Sequence, residues 1–278
     1  MPRLLSEEAL RFYRDAGYVS PLDAAPPATA RRWRDGLEAA EAAQGGRLPE
    51  DLKRKLHLYL PWADEVVRHP RILDAVEDLI GPDILVFHLT LWAKDPRSDA
   101  FVAWHQDSTY FGLSPAEHVT AWVALSASDE LSGAVEVVPG SHHGGQLRHD
   151  VARSEANMFA TGQRIAVPQD APRDLLVLRP GQFSLHHTYL WHNSRLNRSD
   201  DRRIGLGISY IPTRVRCAAR TRLTATLVRG EDRFGHFDHD EVRPAAPFDP
   251  AAMAGHAHAM ARWHAARAEL IAAAHAAA

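Results

Sequence analysis

His105 and Asp107 stand two positions apart in Trp104-His105-Gln106-Asp107, at the end of an apolar run. On an extended strand, residues two apart share a face. A neutral imidazole and a carboxylate so placed can take two adjacent positions around a divalent metal, with a third ligand arriving from another segment. The triplet alone carries little weight, because a hydrogen-bonded surface pair has the same spacing. His236 and Asp238 repeat it in a polar stretch that reads as a loop. What lifts the first pair above the second is the segment from Gly181 to Tyr210, GQFSLHHTYLWHNSRLNRSDDRRIGLGISY. It opens with a glycine at a strand start, places His192 eleven positions later, and places Arg203 eleven beyond that.

With these residues the sequence resembles the phytanoyl-CoA dioxygenase family of iron(II) and 2-oxoglutarate-dependent oxygenases. The resemblance runs from about Phe87 to Thr213 and takes in Gly17 and Tyr18 at the end of the opening helix. Thr120-Ala121-Trp122 and Pro139-Gly140-Ser141-His142 stand where the family has a strand and then a turn. The resemblance implies that His105, Asp107 and His192 hold Fe(II), and that Ser194 and Arg203 bind the cosubstrate 2-oxoglutarate. It also implies that Gln106 and Trp122 lie beside that cosubstrate as an amide donor and an aromatic wall, with O2 as the second cosubstrate. Two imidazoles and one carboxylate leave three positions open on iron, enough for a chelating 2-oxoglutarate and dioxygen. The far carboxylate of the cosubstrate then needs a cation, and the planar fork of arginine can bind it through two parallel bonds.

The implied fold is mainly β with flanking helices, a double-stranded β-helix or cupin-like jelly roll. The implied activity is a dioxygenase that hydroxylates an unactivated carbon of a small metabolite or natural-product intermediate, converting 2-oxoglutarate to succinate and CO2. Halogenating relatives replace the metal carboxylate with a small residue. Here Asp107 is kept, which favours hydroxylation, desaturation or ring closure. Two alternatives remain open from the residues themselves: a noncatalytic β-barrel ligand-binding protein, and a zinc-dependent hydrolase using the same three ligands.

His186, His187 and His192 compete for the distal ligand position. The following Ser194 and Arg203 favour His192, with His187 as the alternative. His186 and His187 point to opposite faces of a strand, so at most one looks inward. His142 and His143 read as turn residues, and His256, His258, His264 and His275 as the solvated face of a terminal helix. Of the aromatic residues, Tyr110 and Phe111 flank the metal motif and are the candidates for a substrate pocket. Lys94, Arg148 and Arg214 read as solvated surface cations.

These residues need a scaffold. Leu10, Tyr13 and Ala16 mark an opening helix closed by Gly17; a second helix runs from Pro26 to Gln44, and a third from Pro70 to Gly81. All three helices are expected to precede the sheet. From Ile84 the chain turns to short runs rich in Val, Ile, Leu, Phe and Trp, predicting strands near 84–93, 101–105, 119–126, 134–138, 174–178, 182–187 and 203–211. The stretch 139–172 reads as a lid loop, residues beyond Thr213 as mixed polar sequence, and Pro250 as the start of an Ala-rich helix. The chain is expected to be one oxygenase domain over 1–278, with a helical part at 1–82, a jelly-roll core at 83–213 and an extension at 214–278.

Composition sets outer bounds. The 278 residues carry 32 Lys plus Arg against 35 Asp plus Glu, a net charge of -3 that favours neither nucleic acid nor an anionic membrane as partner. A small molecule is the expected partner, and oligomeric state is left open. One cysteine, Cys217, excludes an intrachain disulfide and any multi-cysteine zinc site. With Glu7 and Glu8 interrupting the first residues and no long apolar run, a cytoplasmic location is expected.

Overall fold

The computed structural model describes residues 2–109, 111–152, 154–159 and 162–276. The described residues include five α-helices: α1 (Glu7–Ala16), α2 (Pro27–Ala43), α3 (Pro61–Val67), α4 (Pro70–Ile80) and α5 (Pro250–Ala276). The strands of three residues or more are β1 (Tyr18–Asp23), β2 (Ile84–Lys94), β3 (Val102–His105), β4 (Val119–Ala124) and β5 (Val135–Val137). They continue with β6 (Asp174–Leu176), β7 (Gln182–His187), β8 (His192–Ser194), β9 (Arg203–Pro212) and β10 (Thr224–Arg229). The major sheet has the order β1-β7-β4-β9-β2-β10, with residues 238–239 added at the β10 edge; the minor sheet has the order β3-β8-β5-β6. This is the double-stranded β-helix that the resemblance implied.

The major sheet has two chemically different faces. Leu89 and Leu91, Ile204, Leu206 and Ile208, Val119 and Val123, and Phe183 and Leu185 turn outward and bury against Trp33, Leu37, Val66, Ile72 and Val76 of the helices. The alternate residues turn inward: His88, Thr90, Trp92 and Lys94 on β2, Thr120 and Trp122 on β4, and Arg203, Gly205, Gly207 and Ser209 on β9. An apolar outer face fixes the strand register, because a one-residue slip would bury the polar set against the helices. The same alternation therefore delivers a row of polar and aromatic side chains to the barrel interior.

Three expectations need correction. The helices do not all precede the sheet, since β1 lies between α1 and α2 and pairs antiparallel with β7. Its sequence, Tyr-Val-Ser-Pro-Leu-Asp, is short and broken by Pro21, which an edge strand tolerates. The additional helix α3 fills the gap before α4 with seven residues, too few to show a periodicity of its own. Beyond Thr213 the chain is not merely polar: β10 joins the major sheet beside β2. The opening helix α1 is capped by the Ser6 hydroxyl, which accepts from the Ala9 N–H at 3.1 Å. Among the described residues no helix is long and apolar enough to cross a membrane.

Candidate metal centre

The register of the minor sheet brings the two halves of the site together. His105 at the end of β3 pairs directly with His192 at the start of β8, so segments 87 residues apart in sequence place their imidazoles side by side, ring centroids 3.9 Å apart. Asp107 follows just past β3. His105, Asp107 and His192 each offer one ligand atom, and these atoms all lie within 4.8 Å of one another. They are also the only such metal-ready group among the described residues.

Hydrogen bonds decide which atoms point inward. His105 Nδ1 donates to Ala103 O and His192 Nδ1 to Leu190 O, each at 2.9 Å, which leaves both Nε2 lone pairs turned toward the centre. Each Nε2 sits 3.4 Å from Asp107 Oδ1. The other carboxylate oxygen is occupied: Oδ2 accepts from the Thr120 hydroxyl at 2.5 Å and from His186 Nε2 at 3.1 Å. Behind Thr120 the chain of bonds runs through His118 Nε2 at 3.1 Å and on from His118 Nδ1 to Thr188 at 2.8 Å. Asp107 is thus clamped on one edge and left open on the edge facing the imidazoles.

The electrostatics suit a cation at that point. Burial pushes the Asp107 carboxyl up, but His192, His105 and His186 together outweigh it and hold the group well below the usual carboxylate range. Burial pushes His105 down to about 4, with the neighbouring His192 adding to the effect. Burial also works against protonating His192, yet Asp107 overcomes it and raises its pKa. A positive charge between His192 and Asp107 is what the site favours, and the donor set of two imidazole nitrogens and one carboxylate oxygen fits ferrous iron.

The triad stands between two cavities. A narrow inner chamber of about 40 Å³ is lined by Trp92, Trp122, His186, Ser194 and Arg203 as well as the triad. Arg203 is 1% exposed, its guanidinium donates to Ser194 Oγ at 2.7 Å, and its carbon centre lies 5.2 Å above the Trp122 ring. No carboxylate among the described residues forms an ion pair with it, and its buried Nε has no partner. Burial lowers its pKa to about 10, so it remains a cation. A buried cation with an unanswered N–H fits an anionic carboxylate brought in by a ligand. The larger cavity, about 270 Å³, also borders Asp107 and His105 and is lined by Trp92, Phe111, Phe159 and Trp263.

The remaining candidates divide. Trp122 and Ser194 line the inner chamber and Phe111 the larger cavity, whereas Tyr110 lies outside the described residues. Gln106 is a correction. Its Nε2 donates to Gly145 O and Tyr189 O, both at 2.7 Å, and its Oε1 accepts from Leu147 N at 2.7 Å. The amide is used up holding the 145–147 loop and borders neither cavity. Of the adjacent pair, His186 faces Asp107 while His187 turns to His142 and Tyr189.

Lys94 is no surface cation. It is 1% exposed, pairs in register with Arg203, and its Nζ bonds Ser194 O at 3.1 Å, Ser194 Oγ and Arg195 O. Burial and then Arg203 push it down to about 6. His256 is likewise buried rather than solvated, its Nε2 meeting Arg54 O at 2.8 Å. Neither was legible, since a lone Lys at a strand end or a His in an Ala-rich helix has no sequence partner to reveal its neighbour.

Known proteins agree with this geometry. The phytanoyl-CoA dioxygenase (PhyH) family model matches residues 13–205. The apo structure of the non-heme monooxygenase ThoJ is 34% identical, with TM-score 0.83, covering 94% of this chain and 98% of that one. A probable phytanoyl-CoA dioxygenase of Caenorhabditis elegans is 26% identical over 235 residues, 74% of this chain and 75% of that protein. The 1-deoxypentalenic acid 11-beta-hydroxylase of Streptomyces arenae is 30% identical over 224 residues, 72% of this chain and 78% of that protein. A fold, a two-histidine and one-aspartate cluster and a family match over most of the chain converge, and the chain belongs to the phytanoyl-CoA dioxygenase family of non-haem Fe(II) and 2-oxoglutarate-dependent oxygenases.

Proposed function

We propose that this protein hydroxylates an unactivated carbon of a small metabolite or natural-product intermediate, the whole chain 1–278 acting as one oxygenase domain. The observation that carries this reading is the joining of an inward-facing Nε2, Nε2 and Oδ1 set to a narrow chamber lined by a buried arginine that has no carboxylate partner among the described residues. His105, Asp107 and His192 would hold the ferrous ion. Arg203, steadied by Ser194 and Trp122, would hold the distal carboxylate of 2-oxoglutarate. Iron with 2-oxoglutarate and dioxygen supplies an oxidant able to take hydrogen from an unactivated C–H, 2-oxoglutarate leaving as succinate and CO2.

The chain's own part is placement. Thr120 and His186 keep Asp107 from rotating, so its open oxygen stays with the two imidazoles. The aromatic walls of the inner chamber would pack against the cosubstrate, and the larger cavity would present the second substrate to Asp107 and His105. Retention of Asp107 leaves no room at the metal for a halide in place of the carboxylate, which supports hydroxylation. The hydroxylase of Streptomyces arenae is consistent with a natural-product substrate.

The test is spectroscopic and then chemical. Under anaerobic conditions, Fe(II) and 2-oxoglutarate together should produce a weak visible charge-transfer band, absent in His105→Ala, Asp107→Ala and His192→Ala. In air, succinate formation stimulated by a small-molecule panel identifies the substrate. Full metal affinity in His192→Ala together with its loss in His187→Ala would overturn the ligand assignment.

A further inference from the structure

The larger cavity contains a polar group that the protein leaves unanswered. His88 is only 4% exposed, yet it makes no hydrogen bond to the described residues, and its Nδ1 is sealed from solvent without a partner. Its ring lies flat on the Trp263 indole, centroids 4.0 Å apart at 17°, with Phe111 6.4 Å away. It lines the same cavity as His105 and Asp107.

A specific backbone feature puts it there. Ser209 of β9 pairs with His88, but the next residue, Tyr210, pairs with Val86, so Phe87 is an extra residue on β2. Such a bulge re-aims side chains and is common beside active sites. Here it turns two consecutive residues, Phe87 and His88, toward Trp263. Without it, alternation would send one of them to the helix-facing side.

The ring's protonation follows from burial. A sealed N–H without an acceptor costs more than a bare ring nitrogen, so the proton belongs on Nε2, the edge left to face the cavity. Burial, reinforced by the charges of Lys55 and Arg54, holds the imidazole well below its ordinary pKa, so it is neutral. Of the charged groups on the lining, Lys53 bridges to Glu50 at 3.1 Å and Arg54 to Glu50 at 2.8 Å and to Asp51 at 3.8 Å, so these cations are already answered.

We propose that His88 is the specificity-determining residue of the larger cavity, its Nε2–H donating to a carbonyl or carboxylate oxygen of a substrate whose flat apolar body lies among Trp92, Phe111, Phe159 and Trp263. This rests on the reading of that cavity as the substrate chamber. The aromatic walls exclude a wholly polar molecule.

The probe is a matched pair, 3-phenylpropionate and 3-phenylpropylamine, which share a body and differ in offering an acceptor or only donors. Each is titrated into the protein loaded with Zn(II) and saturating 2-oxoglutarate, following tryptophan fluorescence and the 15N signals of labelled histidine. The acid should saturate and shift the His88 resonance, and the amine should not. His88→Phe keeps a ring against Trp263 and should weaken the acid about tenfold or more, with His88→Gln recovering part of the loss. Both variants should bind Zn(II) and 2-oxoglutarate as the parent does, which controls for folding. Absence of acid binding, equal binding of acid and amine, or unchanged acid affinity in His88→Phe would each overturn the proposal. The titration reads no oxygen chemistry. Failure here with succinate formation intact strikes only this inference, and the reverse pattern strikes only the proposed reaction.

Discussion

At the scale of single residues, the site works by dividing atoms between jobs. Asp107 commits Oδ2 to Thr120 and His186 and keeps Oδ1 for the centre, while each of His105 and His192 commits Nδ1 to a backbone carbonyl and keeps Nε2. Arg203 is the clearest case of an atom kept in reserve, since its buried Nε has no partner. Removing one member of a buried charge pair typically costs about 3 to 5 kcal/mol. Even about 2.7 kcal/mol is roughly a hundredfold in affinity. Arg203→Ala should therefore raise the 2-oxoglutarate requirement about a hundredfold with iron binding near intact, and Arg203→Lys should restore only part. Arg202 serves as the control: it points the other way, to Glu41 at 2.7 Å. A titration in which Arg202→Ala cripples the cosubstrate and Arg203→Ala does not would require a new assignment of this strand.

At the scale of elements, β9 is shaped as much by what it lacks as by what it carries. A Cβ at Gly205 would fall 2.1 Å from the Trp122 ring, and one at Gly207 would fall 2.9 Å from Trp92. The two glycines let both indoles lie close against the strand and so wall the inner chamber. Gly205→Ala should cost about 1 to 3 kcal/mol of stability by overpacking and loosen 2-oxoglutarate measurably, because Trp122 also faces the Arg203 guanidinium. Gly207→Ala, with the longer contact against the edge of its indole, should do less on both counts. Thermal melts and cosubstrate titrations of the two variants check the ranking; equal effects would mean that Trp122 does not shape the chamber. The 139–172 stretch, read as a lid loop, contributes Met158, Phe159 and Gln163 to the cavity lining, and Phe159 meets the His105 ring edge-on at 4.4 Å.

At the scale of the whole molecule, the notable feature is how many imidazoles are buried neutral. Burial pushes His57 down to about 3 and His118 to about 4, whereas in the unfolded chain both titrate near the ordinary value of about 6.5. Between those values the unfolded chain binds more protons than the folded one. The stability that these two groups contribute is thus fully present above about pH 6.5 and falls as pH drops below it, by about 1.4 kcal/mol per pH unit for each. The melting temperature of the metal-free protein should decline steeply from about pH 6.5 toward about pH 4.5. A level melting temperature across that acid range would mean these groups are solvated in the folded state.

Much of this was written locally. The strand pattern from Ile84, the spacing of His105 and Asp107, and the order His192, Ser194, Arg203 are properties of short segments, and alternation along a strand assigns their faces without a structure. Tertiary structure decided the rest, because the deciding partners are remote in sequence. Only the β3 and β8 pairing sets His105 against His192. Only the packing of the 145–147 loop takes Gln106 from the cosubstrate, and only the β2 and β9 pairing buries Lys94 beside Arg203. The bulge at Phe87 is visible only in that same register. It turns a histidine inside an apolar run, with no motif around it, into a polar group facing the cavity, since a two-residue periodicity predicts a face only while the ladder stays unbroken.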